Sequence, residues 1–315
     1  MLPKRMKAAV VDRPGPAENI HIQSVAVPKL TRGHVIIALD YAGVGIWDAE
    51  LRSGNWGTIR RGTILGIDGS GTVAAAASDV KRLRVGDRVY AYSYANLVGR
   101  FYAEYVSVPA DRVERVPAQL EQRIAGAIPC VAITAQSGLR ALETKSDQDL
   151  LVFGASGGVG SLAVWLAANV IGASVTATGR PDARQYVRRL GAVRAIDPHS
   201  PAREAAIKRA APTGFDQAFI TAGGEDLSPF LAHLKSGAPL AFPNGVEPEP
   251  HAEGHSALAF DGKTSRTAFK DLNKAIGSRT IPLRVQVFSL ERVVDAHRRI
   301  ERGHVIGKIV LRIHR

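Results

Sequence analysis

Apolar and polar positions alternate in two different ways along this chain. Up to about residue 121, short Val- and Tyr-rich runs are separated by Gly, Asp and Pro: "MKAAVVD" (6–12), "HVIIALDYAGV" (34–44), "GSGTVAAAA" (69–77), "DRVYAYS" (87–93) and "AEYVSVP" (103–109). Runs of this kind predict the strands of a barrel or sandwich, with Gly86-Asp87 as a turn between two of them. From Arg123 the period lengthens, and "RIAGAIPCVAITAQSGLRAL" (123–142) reads as helical. Strands and helices then alternate: "LLVFGA" (150–155), a helix from Gly158 to Val170, "ASVTAT" (173–178), a helix around Ala183–Leu190, "RAID" (194–197), "QAFITAG" (217–223) and "APLAFPN" (238–244). Such alternation predicts a parallel, doubly wound α/β sheet covered on both faces. A helix near Thr267–Gly277 follows, then "RVQVFSL" (284–290), a helix from Glu291 to Glu301 and "GKIVLRI" (307–313). These last strands suggest that the chain returns to its first domain, giving one domain from 1–121 and 279–315 and another from 122–278. The stretch "PNGVEPEPHAEGH" (243–255) reads as an exposed loop.

Composition narrows the class. The chain has 315 residues, 45% of them hydrophobic, enough for two packed domains. No apolar run reaches the roughly 18 residues of a membrane helix, and the N-terminus does not read as a secretory signal. One cysteine, Cys130, rules out an internal disulfide and suits a reducing compartment; the expected location is the cytoplasm. Cys130 itself reads as a small buried hydrophobe. The formal charge of +12 favours anionic ligands, but the basic residues are scattered without aromatic partners, so nucleic acid is not an expected partner.

The candidate chemistry lies at "GASGGVG" (154–160), between a strand and a helix. It matches two of the three glycines of the dinucleotide fingerprint, with Ala155 in place of the first. Gly157 would let backbone approach a pyrophosphate, Gly160 would allow close helix–strand packing, and the helix N-terminus would attract the anion. The second strand ends in Thr178-Gly179-Arg180, where an NAD site would place an acid for the ribose hydroxyls. An arginine there suits a 2′-phosphate, and Arg184, four residues on, would share its helical face. NADP(H) is therefore the expected cofactor. The competing reading has Asp182 on the ribose and both arginines solvated.

Taken in order, "MKAAVVDRPGP", "GVGIWDAELRSG" (43–54), "LGIDGSGTV" (65–73), "VGDRVYAY" (85–92), "AEYVSVPAD" (103–111), "AITAQSGL" (132–139), "GASGGVG", "RRLGAVRAID" (188–197) and "GHVIGKIVLRI" (303–313) resemble the medium-chain dehydrogenase/reductase superfamily, in its zinc-free quinone oxidoreductase-like branch. The resemblance implies a GroES-like β-barrel catalytic domain, a Rossmann NADP-binding domain and a cleft where they meet. It also implies hydride transfer from a nicotinamide to a quinone or an activated alkene, and a homodimer, for which "SALAFDG" (256–262) could supply an edge strand. On the family pattern Ser156, Gly157, Gly158 and Val159 contact the pyrophosphate and Thr134 approaches the nicotinamide. Ala222 and Gly223 lie by the adenosine side, and Phe242, Pro243 and Asn244 meet the carboxamide.

Against the zinc branch, Gly45-Ile46-Trp47 stands where a cysteine ligand would be and Ile67-Asp68 where a His-Glu pair would be. A single cysteine cannot form a four-cysteine site, and His251 and His255 with Glu253 do not make an HExxH motif, so no metal is expected. On the substrate side Gly45, Glu50 and Trp56 replace an Asn and two tyrosines of the quinone reductases, with Asp48 retained; Tyr94 and Tyr92 could partly substitute. The expected activity is NADPH-dependent reduction of a small, electron-poor conjugated acceptor, quinone or enone, with Tyr92 and Asp48 as candidate proton donors. The alternative is a non-catalytic NADPH-binding or redox-sensing protein on the same fold.

Overall fold

The Val-rich runs of the first third become strands β1 (Arg5–Val11), β3 (His34–Val44), β5 (Asp68–Ala76), β6 (Arg88–Tyr92) and β7 (Tyr105–Pro109) in a computed structural model that describes residues 2–94 and 99–314. Three further strands accompany them: β2 (Ile20–Ala26), β4 (Thr63–Ile64) and β8 (Val113–Arg115). β2 shows solvent at most of its positions, so it carries no apolar alternation to detect. A helix, α1 (Ile46–Ser53), follows β3, and α2 (Gln122–Ala127) follows β8.

The chain divides into two compact units, one from Met1–Cys130, Thr264–Thr280 and Arg284–Arg315, the other from Val131–Lys263 and Ile281–Leu283. The helical run at 123–142 is two helices, because Pro129 opens a new one, α3 (Pro129–Ala141). In the second unit β9 (Asp149–Phe153), β10 (Ser174–Thr178), β11 (Arg194–Ile196), β12 (Gln217–Ile220), β13 (Leu240–Pro243) and β14 (Ala257–Phe260) alternate with α4 (Gly158–Leu166), α5 (Arg184–Arg189), α6 (Arg203–Ala210) and α7 (Ser228–Leu231). All six strands are parallel, in the order β11-β10-β9-β12-β13-β14. The order reverses between β9 and β12, the switch point beside whose strand C-termini open α/β sheets bind ligands. Loop residues 244–255 form neither helix nor strand, as their Pro and Gly content predicts.

The strand pairings of the first unit are antiparallel except between its last two strands, which run parallel to each other. α8 (Arg266–Ile276), capped by Ser265 Oγ accepting from the Ala268 amide at 3.1 Å, belongs to this unit. Tyr90 on β6 donates to Asn273 of α8 at 2.5 Å, and Asn273 donates onward to the Arg115 carbonyl on β8 at 3.1 Å. After β15 (Val285–Ser289) and α9 (Val293–Glu301), β16 (Lys308–Arg312) inserts between β15 and β3. Ile309 and Leu311 then join Val10, Val35, Leu39, Val89 and Val108 in one apolar core. β3 pairs with β5 through two register irregularities, which bend the sheet. At that bend a Cβ on Gly71 would stand 2.0 Å from the Ala38 carbonyl oxygen, so only glycine fits.

Candidate functional site

In the second unit the chain leaves β9 through Gly154, at φ +77°, and enters α4 at Gly157 and Gly158. Gly154 is locked from both sides: its amide donates to Thr178 Oγ1 at 2.9 Å, and its carbonyl accepts from Thr221 Oγ1 at 3.0 Å. A Cβ at Gly160 would lie 2.3 Å from the Gly154 carbonyl oxygen and 2.8 Å from Ala155 Cα, so helix and strand approach through glycine alone. Gly157 has only a 3.6 Å neighbour at the same point, so its lack of a side chain is not demanded by packing. No side chain caps α4, which leaves its first amides to an incoming anion. Ser156, Gly157, Gly158 and Val159 are all partly accessible there. These observations fit a dinucleotide pyrophosphate.

Sequence reading missed the residue that braces this turn. Ser161 Oγ is 3.3 Å from the carbonyl oxygens of both Ala155 and Ser156, and Tyr186 of α5 donates to it at 2.9 Å. Both side chains are buried, and nothing in the fingerprint flags either.

β10 delivers Gly179 and Arg180 to the same end of the sheet. Arg180 precedes α5, which begins at Arg184, so the two arginines do not share a helical face as their spacing suggested. Pro181 is the reason: a residue before proline is pushed away from helical geometry. Both arginines are nonetheless exposed. The remaining candidates of this unit also sit at or beside strand ends. Ala222 and Gly223 follow β12, where a Cβ on Gly223 would meet the Glu247 carbonyl oxygen at 2.3 Å. Phe242 and Pro243 end β13, and Asn244 is fixed by its amide on the Phe260 carbonyl (3.0 Å) and its side chain on Asp261 (2.8 Å). Thr134 is buried on α3, with Gly262 packed against its hydroxyl so closely that a Cβ would stand 2.2 Å away.

In the first unit the candidates gather around the start of α1. Asp48 is buried; its Oδ2 accepts from the Gly45 amide at 2.9 Å and its Oδ1 from the Gly66 amide at 3.1 Å, so the carboxylate ties two turns together. Burial pushes its carboxyl up to about 7, against the opposing pull of the Gly45 amide and Lys308. Asp68 is fully buried and accepts from the Cys130 amide at 2.9 Å; burial raises it to about 6, with Lys308 pulling the other way. Lys308, also buried, donates to the Val44 carbonyl at 2.8 Å and lies 4.5 Å from the centre of the Trp47 ring. A Cβ on Gly45 would collide with that indole at 2.1 Å, so glycine at 45 is what admits it. Lys308 was read from sequence only as part of a strand; a charged residue opening an apolar run was the available signal.

Tyr92 ends β6 opposite Asp68, is buried, and has its phenol held far above the usual range by burial and the neighbouring Cys130. Cys130 is likewise buried, and its thiol is pushed up to about 12 by burial. Glu50 accepts from the Asn55 side chain at 2.6 Å, Trp56 is half-buried with its amide on the Glu50 carbonyl at 3.2 Å, and Tyr94 is exposed. Among the described residues no three His, Cys, Asp or Glu side chains come together to hold a metal ion, and no helix is long and apolar enough to cross a membrane.

Fold and glycine cradle define a protein of the dinucleotide-binding α/β class, a Rossmann sheet joined to a GroES-like antiparallel unit. Residues 31–118 match the family described as alcohol dehydrogenase GroES-like domain, and residues 190–311 that described as zinc-binding dehydrogenase. The chain is 31% identical over 322 residues to the chloroplastic NADPH-dependent alkenal/one oxidoreductase of Arabidopsis thaliana, covering 98% of this chain and 80% of that protein. It is 29% identical, with the same coverage, to the 2-methylene-furan-3-one reductase of Solanum lycopersicum. The solved quinone oxidoreductase of Coxiella burnetii superposes with a TM-score of 0.86 at 25% identity, over 99% of this chain and 100% of that one. The chain belongs to the medium-chain dehydrogenase/reductase superfamily, with quinone oxidoreductase-like and alkenal reductase-like relatives.

Proposed function

We propose that this protein is a zinc-independent, NADPH-dependent reductase of electron-poor conjugated acceptors, enones or alkenals in the first place and quinones by extension. The observation that carries the reading is the uncapped start of α4 at Gly157–Val159 with Arg180 at the end of the neighbouring strand, an anion cradle with a second cation beside it. The names of the plant relatives support the acceptor class. A bound nicotinamide supplies the hydride; the chain's part is to hold and orient it and to keep water away. Ser156, Gly157, Gly158 and Val159 would take the pyrophosphate, and Gly179, Arg180 and Arg184 the 2′-phosphate end. Ala222 and Gly223 would take the adenosine side, and Thr134, Phe242, Pro243 and Asn244 the nicotinamide. Gly45, Glu50, Trp56 and Tyr94 are assigned to the acceptor, with Tyr92 as a candidate proton donor. Asp48 is retained as a second candidate, although both its oxygens already accept from backbone amides. Zinc independence rests on the donor set: Gly45, Ile67 and Asp68 offer one hard oxygen ligand where a zinc site needs three or four.

The test follows the loss of reduced-nicotinamide absorbance with a panel of enones, alkenals, quinones and saturated ketones. We expect turnover with the conjugated acceptors, none with saturated ketones, and no change after chelator treatment. Tight NADPH binding without oxidation by any acceptor would instead identify a non-catalytic cofactor-binding protein.

A further inference from the structure

Beyond Arg180, the cofactor end of the sheet carries a histidine that sequence reading passed over. Strands β10 and β11 are parallel neighbours, so the loops leaving them run side by side; the Gly179 amide donates to the Ile196 carbonyl at 2.9 Å. Across these loops Arg180 Nε donates to His199 Nε2 at 3.3 Å. A guanidinium has no lone pair to offer, so Nε2 must be the acceptor and the ring proton sits on Nδ1. Nδ1 faces Asp226 Oδ2 at 2.8 Å, on the short turn Glu225–Leu227. Asp226 in turn lies 3.7 Å from Arg203 at the start of α6, and Asp197 in the same loop accepts the His199 amide at 3.1 Å. Arg180, Arg203, Asp197 and Asp226 are thus the charged groups around the ring, two of each sign.

We propose that His199 is a specificity-determining residue for the cofactor's 2′-phosphate, and that a 2′-phosphorylated dinucleotide takes up a proton at His199 as it binds. The inference rests on the NADPH reading above. Without a phosphate, protonating His199 destroys its acceptor and turns a second N–H toward the Arg180 guanidinium. With a phosphate between them, both groups become donors to one dianion, and Asp226 balances the new imidazolium from behind. The present bond uses Arg180 Nε, at the base of the guanidinium fork, so the same bond also aims the arginine. His199 is half exposed, and the network is reachable by ligand and solvent alike.

The probes are adenosine 2′,5′-bisphosphate and adenosine 5′-monophosphate, titrated calorimetrically into the full chain in two buffers of different ionisation enthalpy. Imidazole changes charge between about pH 5 and 8, so titrations at either end of that window bracket the effect. The 2′-phosphate itself titrates at about pH 6, which is a background common to every variant. For the wild type we expect the bisphosphate to bind more tightly than the monophosphate, with proton uptake exceeding that of His199→Gln. A glutamine oxygen still accepts from Arg180 but cannot be protonated. The preference for the bisphosphate should gain about threefold or more over the variant's between the basic and acidic ends of the window. Asp226→Asn, which removes the counter-charge, should lose part of the uptake while staying folded. Equal affinity for both probes in the wild type would overturn the NADPH reading and this inference with it. Preference for the bisphosphate with identical proton uptake in wild type and His199→Gln would overturn the role of His199 and leave the NADPH reading standing.

Discussion

Asp68 shows how one buried carboxyl can make stability depend on pH. Its folded value, about 6, lies above the ordinary 3.8 because burial disfavours the charged form. A raised carboxyl value means that the folded chain holds the proton more tightly than the unfolded one. Its contribution to folding is therefore complete in acid and is lost as pH rises through about 6, with Asp48 following at about 7. Asp68→Asn keeps an oxygen for the Cys130 amide and removes the titration. Thermal unfolding should show wild-type stability falling by about 1.4 kcal/mol more than the variant's between pH 5 and 8. An equal fall in both would mean that Lys308 fully compensates the charge. Nothing in "GIDGSG" distinguishes Asp68 from an exposed strand acid. Its carboxylate lies against Gly43 of β3 and the Cys130 amide, and the charge that acts on it belongs to Lys308, 240 residues away along the chain.

At the scale of elements, the β9–α4 junction assigns separate duties to its glycines. A methyl at Gly160 meets backbone at 2.3 Å, and backbone cannot swing aside as a side chain can. Gly160→Ala should cost about 1–3 kcal/mol in denaturant unfolding and loosen the helix on its strand. Gly157→Ala meets nothing closer than 3.6 Å, so its stability should be nearly unchanged while NADPH affinity drops. Loss of stability without loss of affinity at Gly157 would remove that residue from the cradle. The parallel strands were legible because each is a short apolar run between turn residues, and the regular alternation with helices set their class. The two-residue β4, the three-residue β8 and the solvent-facing β2 were not, since pairing with neighbours rather than local pattern makes them strands. For the site, the fingerprint revealed the glycines and Arg180. Ser161 meets Tyr186, and His199 meets Asp226, only when the strands of the sheet lie side by side, which no local motif encodes.

For the whole molecule, the consequential feature is the place of β16. It is the last strand in the chain, yet it sits between β15 and β3 and contributes Ile309 and Leu311 to the core of the first unit. The second unit includes no residue beyond Leu283. Units fold as they become complete during synthesis, so the order of completion inverts the order of translation. The second unit, translated later, can close first, while residues 1–130 wait for β16. Chains stalled once residue 300 has emerged should resist protease over 131–263 and be cut within 1–130; release should protect both. Equal protection before release would show that β1–β8 hold their shape without β16. On this order, a frameshift after residue 300 damages residues 1–130 and spares residues 131–263.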